Sequence, residues 1–293
     1  MRENRPLQRY IGWFGLTLSL VMVLSAGPLA QTLRRPPGQI ASLNGIEMFY
    51  EIHGAGPPLI LLHGFSGSGH FWKPFVADFE KHYQVIVPDL RGHGRSTNLT
   101  SPFTFRQSAL DIYALLDHLG ISQFKGAGIS AGAITLLHMA TQQPPRVESM
   151  ILIGGASYFP EEARKIMEKA TVESLTPQQW ERLRQDHDND DDQIRALRRQ
   201  FHDFKDSYAD VNFTPPYLST ITAKTLIVHG DRDATFPVSI ALEMYRSIPC
   251  SYLWVVPNGR HVAITEQETH FTRTALEFLG GAWDKKEATK SRH

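Results

Sequence analysis

The stretch Phe124-Lys125-Gly126-Ala127-Gly128-Ile129-Ser130-Ala131-Gly132-Ala133 reads as the end of a short apolar strand running into a helix, and two incompatible motifs overlap on it. Gly126, Gly128 and Ala131 satisfy G-x-G-x-x-A, a loop that lets the backbone approach a pyrophosphate. Gly128, Ser130 and Gly132 satisfy G-x-S-x-G, in which a serine projects from a sharp strand-to-helix turn and its small neighbours give clearance. The first motif needs an acid roughly 20 residues onward, ending the next strand, to hold a ribose. The acid available is Glu148, which precedes the next apolar run, Ser149 to Ile153. The serine reading therefore takes precedence, with an NAD-dependent oxidoreductase built on residues 126–131 kept as a rival.

Outward from this turn the chain repeats one pattern. Short, nearly continuous apolar runs occur at Pro58 to Leu62, Gln84 to Val87, Phe124 to Gly128, Ser149 to Ile153, Thr225 to Val228 and Tyr252 to Val256. Such runs suit strands covered on both faces. Amphipathic segments lie between them, at about Trp72 to Lys81, Thr104 to Leu119, Ala131 to Gln142, Pro237 to Ser247 and Glu266 to Leu279. This alternation predicts a mostly parallel sheet with helices on both faces. Ahead of it, Asn44-Gly45 between Ile40 to Leu43 and Ile46 to Ile52 predicts an antiparallel hairpin, for eight strands in all. The alternation is interrupted over residues 158–222, where charged helical segments and the aromatics Phe201, Phe204, Phe213 and Tyr217 predict an inserted helical cap. The core is then residues 40–157 and 223–281, and residues 282–293 form a polar tail.

The N-terminus is different. Arg2, Arg5 and Arg9 precede an uncharged apolar stretch to Ala30, which reads as an export signal or an N-terminal membrane anchor over residues 1–30. A linker at residues 31–39 follows, with Arg34-Arg35-Pro36-Pro37 in it. The expected setting is periplasmic or extracellular, or membrane-anchored with the globular part outside the cytoplasm.

A serine hydroxyl is a weak nucleophile until a base takes its proton, and the base needs an acid to fix its tautomer. Asp233 follows the run Thr225 to Val228, and His261 follows the last apolar run. Both lie just past carboxyl ends of expected strands, where open α/β sheets hold their ligands. Asp231 competes with Asp233 but reads better as a turn residue. Among 13 histidines, His63 reads as structural, His93 sits in a turn, and His118 and His138 fall within helices. Ser130, Asp233 and His261 are the candidate nucleophile, acid and base.

Composition narrows the alternatives. The 293 residues are 42% hydrophobic with 30 basic and 30 acidic side chains, which supports a large core and gives no electrostatic case for nucleic acid. Cys250 is the only cysteine, so an internal disulfide and a cysteine-based metal site are excluded. Gly64 and Gly69 have phosphate-loop spacing, but His70 and Phe71 stand where Lys and Ser or Thr are needed. The acidic run Asp186, Asp188, Asp190, Asp191, Asp192 begins like a calcium loop, yet Asp191 replaces its turn glycine and Leu197 its bidentate glutamate. It reads as a solvated loop.

Together, Leu61-Leu62-His63-Gly64-Phe65, Pro88 to Ser96 (PDLRGHGRS), Gly128 to Gly132, His229 to Asp233 (HGDRD) and Asn258 to His261 resemble, in order, the segments of the α/β-hydrolase superfamily. The resemblance spans about Ile40 to Gly280. It implies that backbone N–H groups of Phe65 and Ala131 form an oxyanion hole, a role suited to pre-oriented donors. It also implies a serine hydrolase acting on a small, largely apolar ester or related acyl substrate, with no metal or organic cofactor. Serine at position 130 disfavours the dehalogenase and epoxide hydrolase branches, which carry Asp there. Carbon-carbon bond hydrolases, lactonases and cofactor-free haloperoxidases remain alternatives, as does a noncatalytic binding protein. Phe65, Trp72, Ile129, Phe159, Phe213, Tyr217 and Phe236 are expected to line the pocket between sheet and cap.

Overall fold

A computed structural model describes residues 38–98, 102–188 and 190–283. The segment read as an export signal or anchor, and most of the linker after it, lie outside the described residues. Among the described residues no helix is long and apolar enough to cross a membrane.

The described residues open on the expected hairpin, β1 (Gln39–Leu43) and β2 (Ile46–His53). Its turn works because Asn44 and Gly45 both adopt positive φ, 48° and 78°, the mirror-image geometry that matches strand twist. Then follow β3 (Pro58–Leu62), α1 (Lys73–Phe79), β4 (Gln84–Pro88), α2 (Phe105–His118), β5 (Phe124–Ile129), α3 (Ala131–Gln142) and β6 (Val147–Ile153). After the inserted helices come β7 (Lys224–Gly230), α8 (Val238–Ser247), β8 (Ser251–Val256) and α9 (Glu268–Leu279). The eight strands form one sheet in the order β1-β2-β4-β3-β5-β6-β7-β8. β2 runs antiparallel to β1 and β4, and every later pairing is parallel.

Strand burial splits by side-chain parity. Ile60, Leu62 and Leu152 face one apolar cluster with α2, α3 and α8. Leu59, Leu61 and Ile151 face another with α1 and α9. A sheet covered on both faces explains the near-continuous apolar runs.

Three boundaries differ from the expectation. A 3₁₀ turn, Gly69–Trp72, precedes α1, whose first turn carries Pro74. β6 begins at Val147, so Glu148 lies inside the strand rather than before it. Glu148 still sits at the strand's amino end, pairing with Lys125 at 3.0 Å, remote from the carboxyl end where a ribose acid belongs. At the C-terminus, Trp283 packs on Tyr252 and Phe278 with ring centroids 5.1 and 5.5 Å apart, so the packed body extends past residue 281.

Between β6 and β7 lie α4 (Glu161–Glu168), α5 (Pro177–Asp186), α6 (Asp191–Asp203) and the short α7 (Pro215–Leu218). The acidic run links α5 to α6: Asp190 accepts from the N–H groups of Asp192 and Gln193, and Asp191 pairs with Arg184. This insertion is tied to the core by polar bonds as well as aromatic packing. Asp210 accepts from the first two N–H groups of α2, Phe105 and Arg106, at 2.7 and 3.1 Å. His138 of α3 donates through Nε2 to the Asp210 carbonyl at 2.7 Å.

Candidate active site

β5 ends where α3 begins, and Ser130 occupies the turn with φ 51° and ψ −110°. A non-glycine residue at positive φ costs energy and is kept only where the surroundings enforce it. The enforcement is steric: a Cβ on Gly128 would fall 2.4 Å from the carbonyl of Gly132, and one on Gly132 would fall 2.3 Å from Leu62 O. The Ser130 N–H is fixed to Ile153 O at 2.8 Å. Its side chain therefore stands clear at the carboxyl edge of the sheet.

His261, after β8, reaches this serine from one side. Its Nε2 lies 2.9 Å from Ser130 Oγ, and its Nδ1 lies 2.7 Å from Asp233 Oδ2. A carboxylate can only accept, so Nδ1 carries the proton and Nε2 is left as the acceptor for the serine hydroxyl. Asp233 is 9% exposed, and its other oxygen accepts from the N–H groups of Thr235 and Phe236 at 2.8 and 3.0 Å. Burial pushes its carboxyl up, but the His261 hydrogen bond and charge and the two backbone donors outweigh it and hold it below the ordinary range. Asp231 instead points outward beside Arg232. Behind Asp233, the fully buried His229 donates through Nε2 to Phe236 O at 2.7 Å, holding the same loop.

Across from His261 runs the loop after β3. Gly67 N–H donates to Gly64 O at 3.1 Å, closing a turn with Ser66 at φ 61° and Phe65 before it. His63, fully buried, donates from Nδ1 to Gly64 O (2.8 Å) and accepts the Leu90 N–H on Nε2 (2.9 Å). Both nitrogens are used, and burial, its dominant influence, lowers its pKa. The turn lies against the serine: a Cβ on Gly64 would stand 3.6 Å from Ser130 Cβ. Ala131 opens α3, so its N–H has no partner within the helix.

A cavity of about 820 Å³ opens on Ser130 and His261. Of the expected lining residues, Phe65, Ile129, Phe159 and Phe236 border it, while Trp72, Phe213 and Tyr217 do not. Trp72 is fully buried beneath the sheet's other face, packed edge-on to Phe71 and Phe75. Phe213 is drawn back to the core by its N–H bond to Ser157 O (2.8 Å), and stacks on Tyr217 and against His138. Their places are taken by Phe71, Phe105, Phe201 and Phe204. The Phe65 ring packs edge-on to Phe204 at 4.9 Å and stacks on Phe201 at 5.8 Å. The spacing of Phe201 and Phe204, one helical turn apart, was the available signal.

A 2-hydroxy-6-oxononadienedioate/2-hydroxy-6-oxononatrienedioate hydrolase of Pseudomonas putida is 30% identical over 272 residues, covering 80% of this chain and 88% of its own. A pimeloyl-[acyl-carrier protein] methyl ester esterase of Vibrio vulnificus is 23% identical over 263 residues, covering 80% and 98%. Other relatives are named for carbamate hydrolysis. The crystal structure of the enol-lactonase from Burkholderia xenovorans LB400 superposes with a TM-score of 0.70 at 24% identity, covering 83% of this chain and 100% of that one, a likeness of fold. The family model for the alpha/beta hydrolase fold matches residues 57–267. The chain is a hydrolase and belongs to the alpha/beta hydrolase fold family.

Proposed function

We propose that this hydrolase cleaves a small, largely apolar carboxylic ester or related acyl substrate by way of an acyl-enzyme on Ser130. The observation that carries the reading is the continuous chain Asp233–His261–Ser130, with links of 2.7 and 2.9 Å. As Ser130 Oγ attacks the acyl carbon, its proton passes to His261 Nε2. The imidazolium so formed is stabilised through Nδ1–H by Asp233, whose carboxyl stays ionised at neutral pH. The N–H groups of Phe65 and Ala131 receive the negative charge that develops on the carbonyl oxygen. His261 then protonates the departing alkoxide; afterwards it draws a proton from water as the water oxygen attacks the acyl carbon, and returns that proton to Ser130 Oγ as the bond to the acyl group breaks and the acid is released.

The apolar bias comes from the aromatic walls: Phe65, Phe105, Phe159, Phe201, Phe204 and Phe236 all border the cavity. Charged lining residues, Arg182, Asp186 and Arg198, come from the inserted helices. A nearby uncharged acyl group is the best match to this distribution.

The test is Ser130→Ala, which should fold normally while turnover of p-nitrophenyl butyrate drops by about four orders of magnitude or more. A fluorophosphonate should label wild-type Ser130 and fail to label His261→Ala. Turnover unchanged in Ser130→Ala would overturn the proposal. A parallel screen of esters, lactones and vinylogous diketones distinguishes ester cleavage from the lactone and carbon-carbon alternatives.

A further inference from the structure

His187 is a histidine of the inserted segment that the proposed chemistry does not use. It follows α5, in a run of acidic residues, yet it is only 4% exposed. Its ring sits between two backbone groups of the core. Gly94 N–H donates to Nδ1 at 2.8 Å, so in the neutral ring Nε2 bears the proton, and Nε2 lies 3.3 Å from Ser66 O. An N–H donor on one side and a carbonyl acceptor on the other admit only this tautomer.

Ser66 closes the turn in which Phe65 stands. That turn is held at two carbonyls: His63 donates to Gly64 O from below, and His187 donates to Ser66 O from the inserted helices. The Gly64–Phe65 peptide, which carries the Phe65 N–H, and the Ser66–Gly67 peptide two residues on are thus held by two histidines, one from each part of the fold. Ser66 is also in the left-handed region, with φ 61°, a conformation that a serine leaves when nothing holds it.

We propose that His187 is a positioning residue for the oxyanion loop, so that the inserted helices supply part of the geometry that stabilises the transition state. This rests on the hydrolase reading above, in which the Phe65 N–H is an oxyanion donor. His187 borders the cavity, but its ring bonds to Gly94 and Ser66 and not to Ser130 or His261. It acts through Ser66, and a displacement of the Phe65 N–H weakens a bond that matters most when charge develops on the substrate oxygen. The neutral ring this requires is favoured by burial, the largest influence on its pKa, which outweighs the opposing bond to Ser66 O and the charges of Asp186, Asp89 and Asp188. His93, 6.2 Å away, and His63 are the neighbouring imidazoles.

Two conservative variants of the full chain separate this role from simple docking of the insertion. In His187→Gln the amide nitrogen takes the place of Nε2 and can donate to Ser66 O. In His187→Asn the amide takes the place of Nδ1, keeping the Gly94 contact and losing Ser66. With p-nitrophenyl butyrate, His187→Asn should lower kcat by about 10- to 100-fold with KM within about threefold, and a trifluoromethyl ketone should bind more weakly by a similar factor. His187→Gln should keep kcat within about threefold. Gln193→Leu is the control. It removes the amide that contacts the carbonyls of Gly92 and Gly94, loosening the same docking surface without touching Ser66, and should leave kcat unchanged. If His187→Asn does not fold, His187→Leu takes its place against the Gln variant. Wild-type kcat in His187→Asn, an equal loss in Gln and Asn, or a loss confined to KM would overturn the proposal. Ser130→Ala runs alongside: if it retains turnover the parent reading falls and this one with it, whereas its inactivity together with an active His187→Asn refutes only the positioning role.

Discussion

The α-helix that begins at Ala131 meets β3 with no room for a methyl group: a Cβ on Gly132 would lie 2.3 Å from Leu62 O and 2.7 Å from Leu62 Cβ. The obstacle is backbone, which cannot swing aside as a side-chain tip can. Leu62 is also one residue before His63 and three before Phe65. The Ser130 turn and the loop that follows β3 are therefore packed directly on each other. Gly132→Ala must push them apart, and overpacking of this kind costs roughly 1–3 kcal/mol. We expect a lower urea midpoint and, in the folded fraction, kcat reduced by at least about tenfold, because the proposed nucleophile and the proposed oxyanion donor at Phe65 shift together. Wild-type kcat per folded molecule would show that the turn relaxes elsewhere.

Asp233→Asn addresses the tautomer. Its Oδ1 can keep both backbone bonds to Thr235 and Phe236, so folding should survive. Its Nδ2 then points an N–H at His261 Nδ1, which favours the proton on Nε2, where the serine hydroxyl needs an acceptor. We expect kcat at pH 7 to fall by about 10⁴-fold while the melting temperature changes little. A loss below about tenfold would mean that His261 is oriented by something other than Asp233.

The fold and the site differ in how far sequence alone reveals them. β3 to β7 are visible because each is short, apolar and mostly buried on both faces, whereas β1 and β2 are marked by the Asn44-Gly45 turn between them and β8 by its apolar run. Ser130, Asp233 and His261 stand out for the same reason: each follows a strand, and the sheet brings strand ends together. The pocket wall depends on the path of residues 158–222 over the sheet, which no local pattern encodes. Phe213 and Tyr217 are as aromatic as Phe201 and Phe204, yet the first pair turns back onto α3 and the second onto Phe65. His187 was hidden by its neighbours, since an acidic run reads as solvated. It is buried only because Ser66 and Gly94, about 100 residues earlier, receive it.

A buried ion pair anchors the opening hairpin to α2. Arg91 donates from Nε and Nη2 to the two oxygens of Asp111, both at 2.7 Å, and the side chains are 2% and 0% exposed. Asn44 and Gln107 also donate to Asp111, and Arg91 donates to Asn44 O. Asp111→Asn strands the Arg91 charge in the interior and should cost about 3–5 kcal/mol in urea unfolding. The double variant Arg91→Met/Asp111→Leu removes both charges and should be less destabilised than the single one. The reverse order would assign the stability to the hydrogen bonds rather than to the charge.

Five histidines, His63, His93, His138, His187 and His229, have pKa values held below the ordinary 6.5, in each case chiefly by burial. Of these, His93 is fully enclosed and lies furthest on this side, with Nδ1–H bonded to Arg91 O at 2.9 Å and Nε2 without a partner among the described residues. In the unfolded chain these rings take up protons near pH 6.5, while in the folded protein they resist. The unfolded state then binds more protons, so stability decreases as pH falls below 6.5 and continues to decrease until the folded-state pKa values are reached. Each such ring contributes up to about 1.4 kcal/mol per pH unit within that window. Asp89 and Asp233 do not account for this loss. Burial raises both, but their bonds to Arg95 and His261 hold them below 3.8, so their contribution persists above the usual carboxylate range and is lost only at lower pH. Urea midpoints at pH 7.5, 6.5 and 5.5 should fall steeply over the lower interval. His93→Phe, which fills the site without a titratable ring, should flatten that slope by about 1.4 kcal/mol per unit even though it sacrifices the bond to Arg91 O. An unchanged slope would mean that the His93 ring can take up a proton in the folded protein as easily as in the unfolded chain.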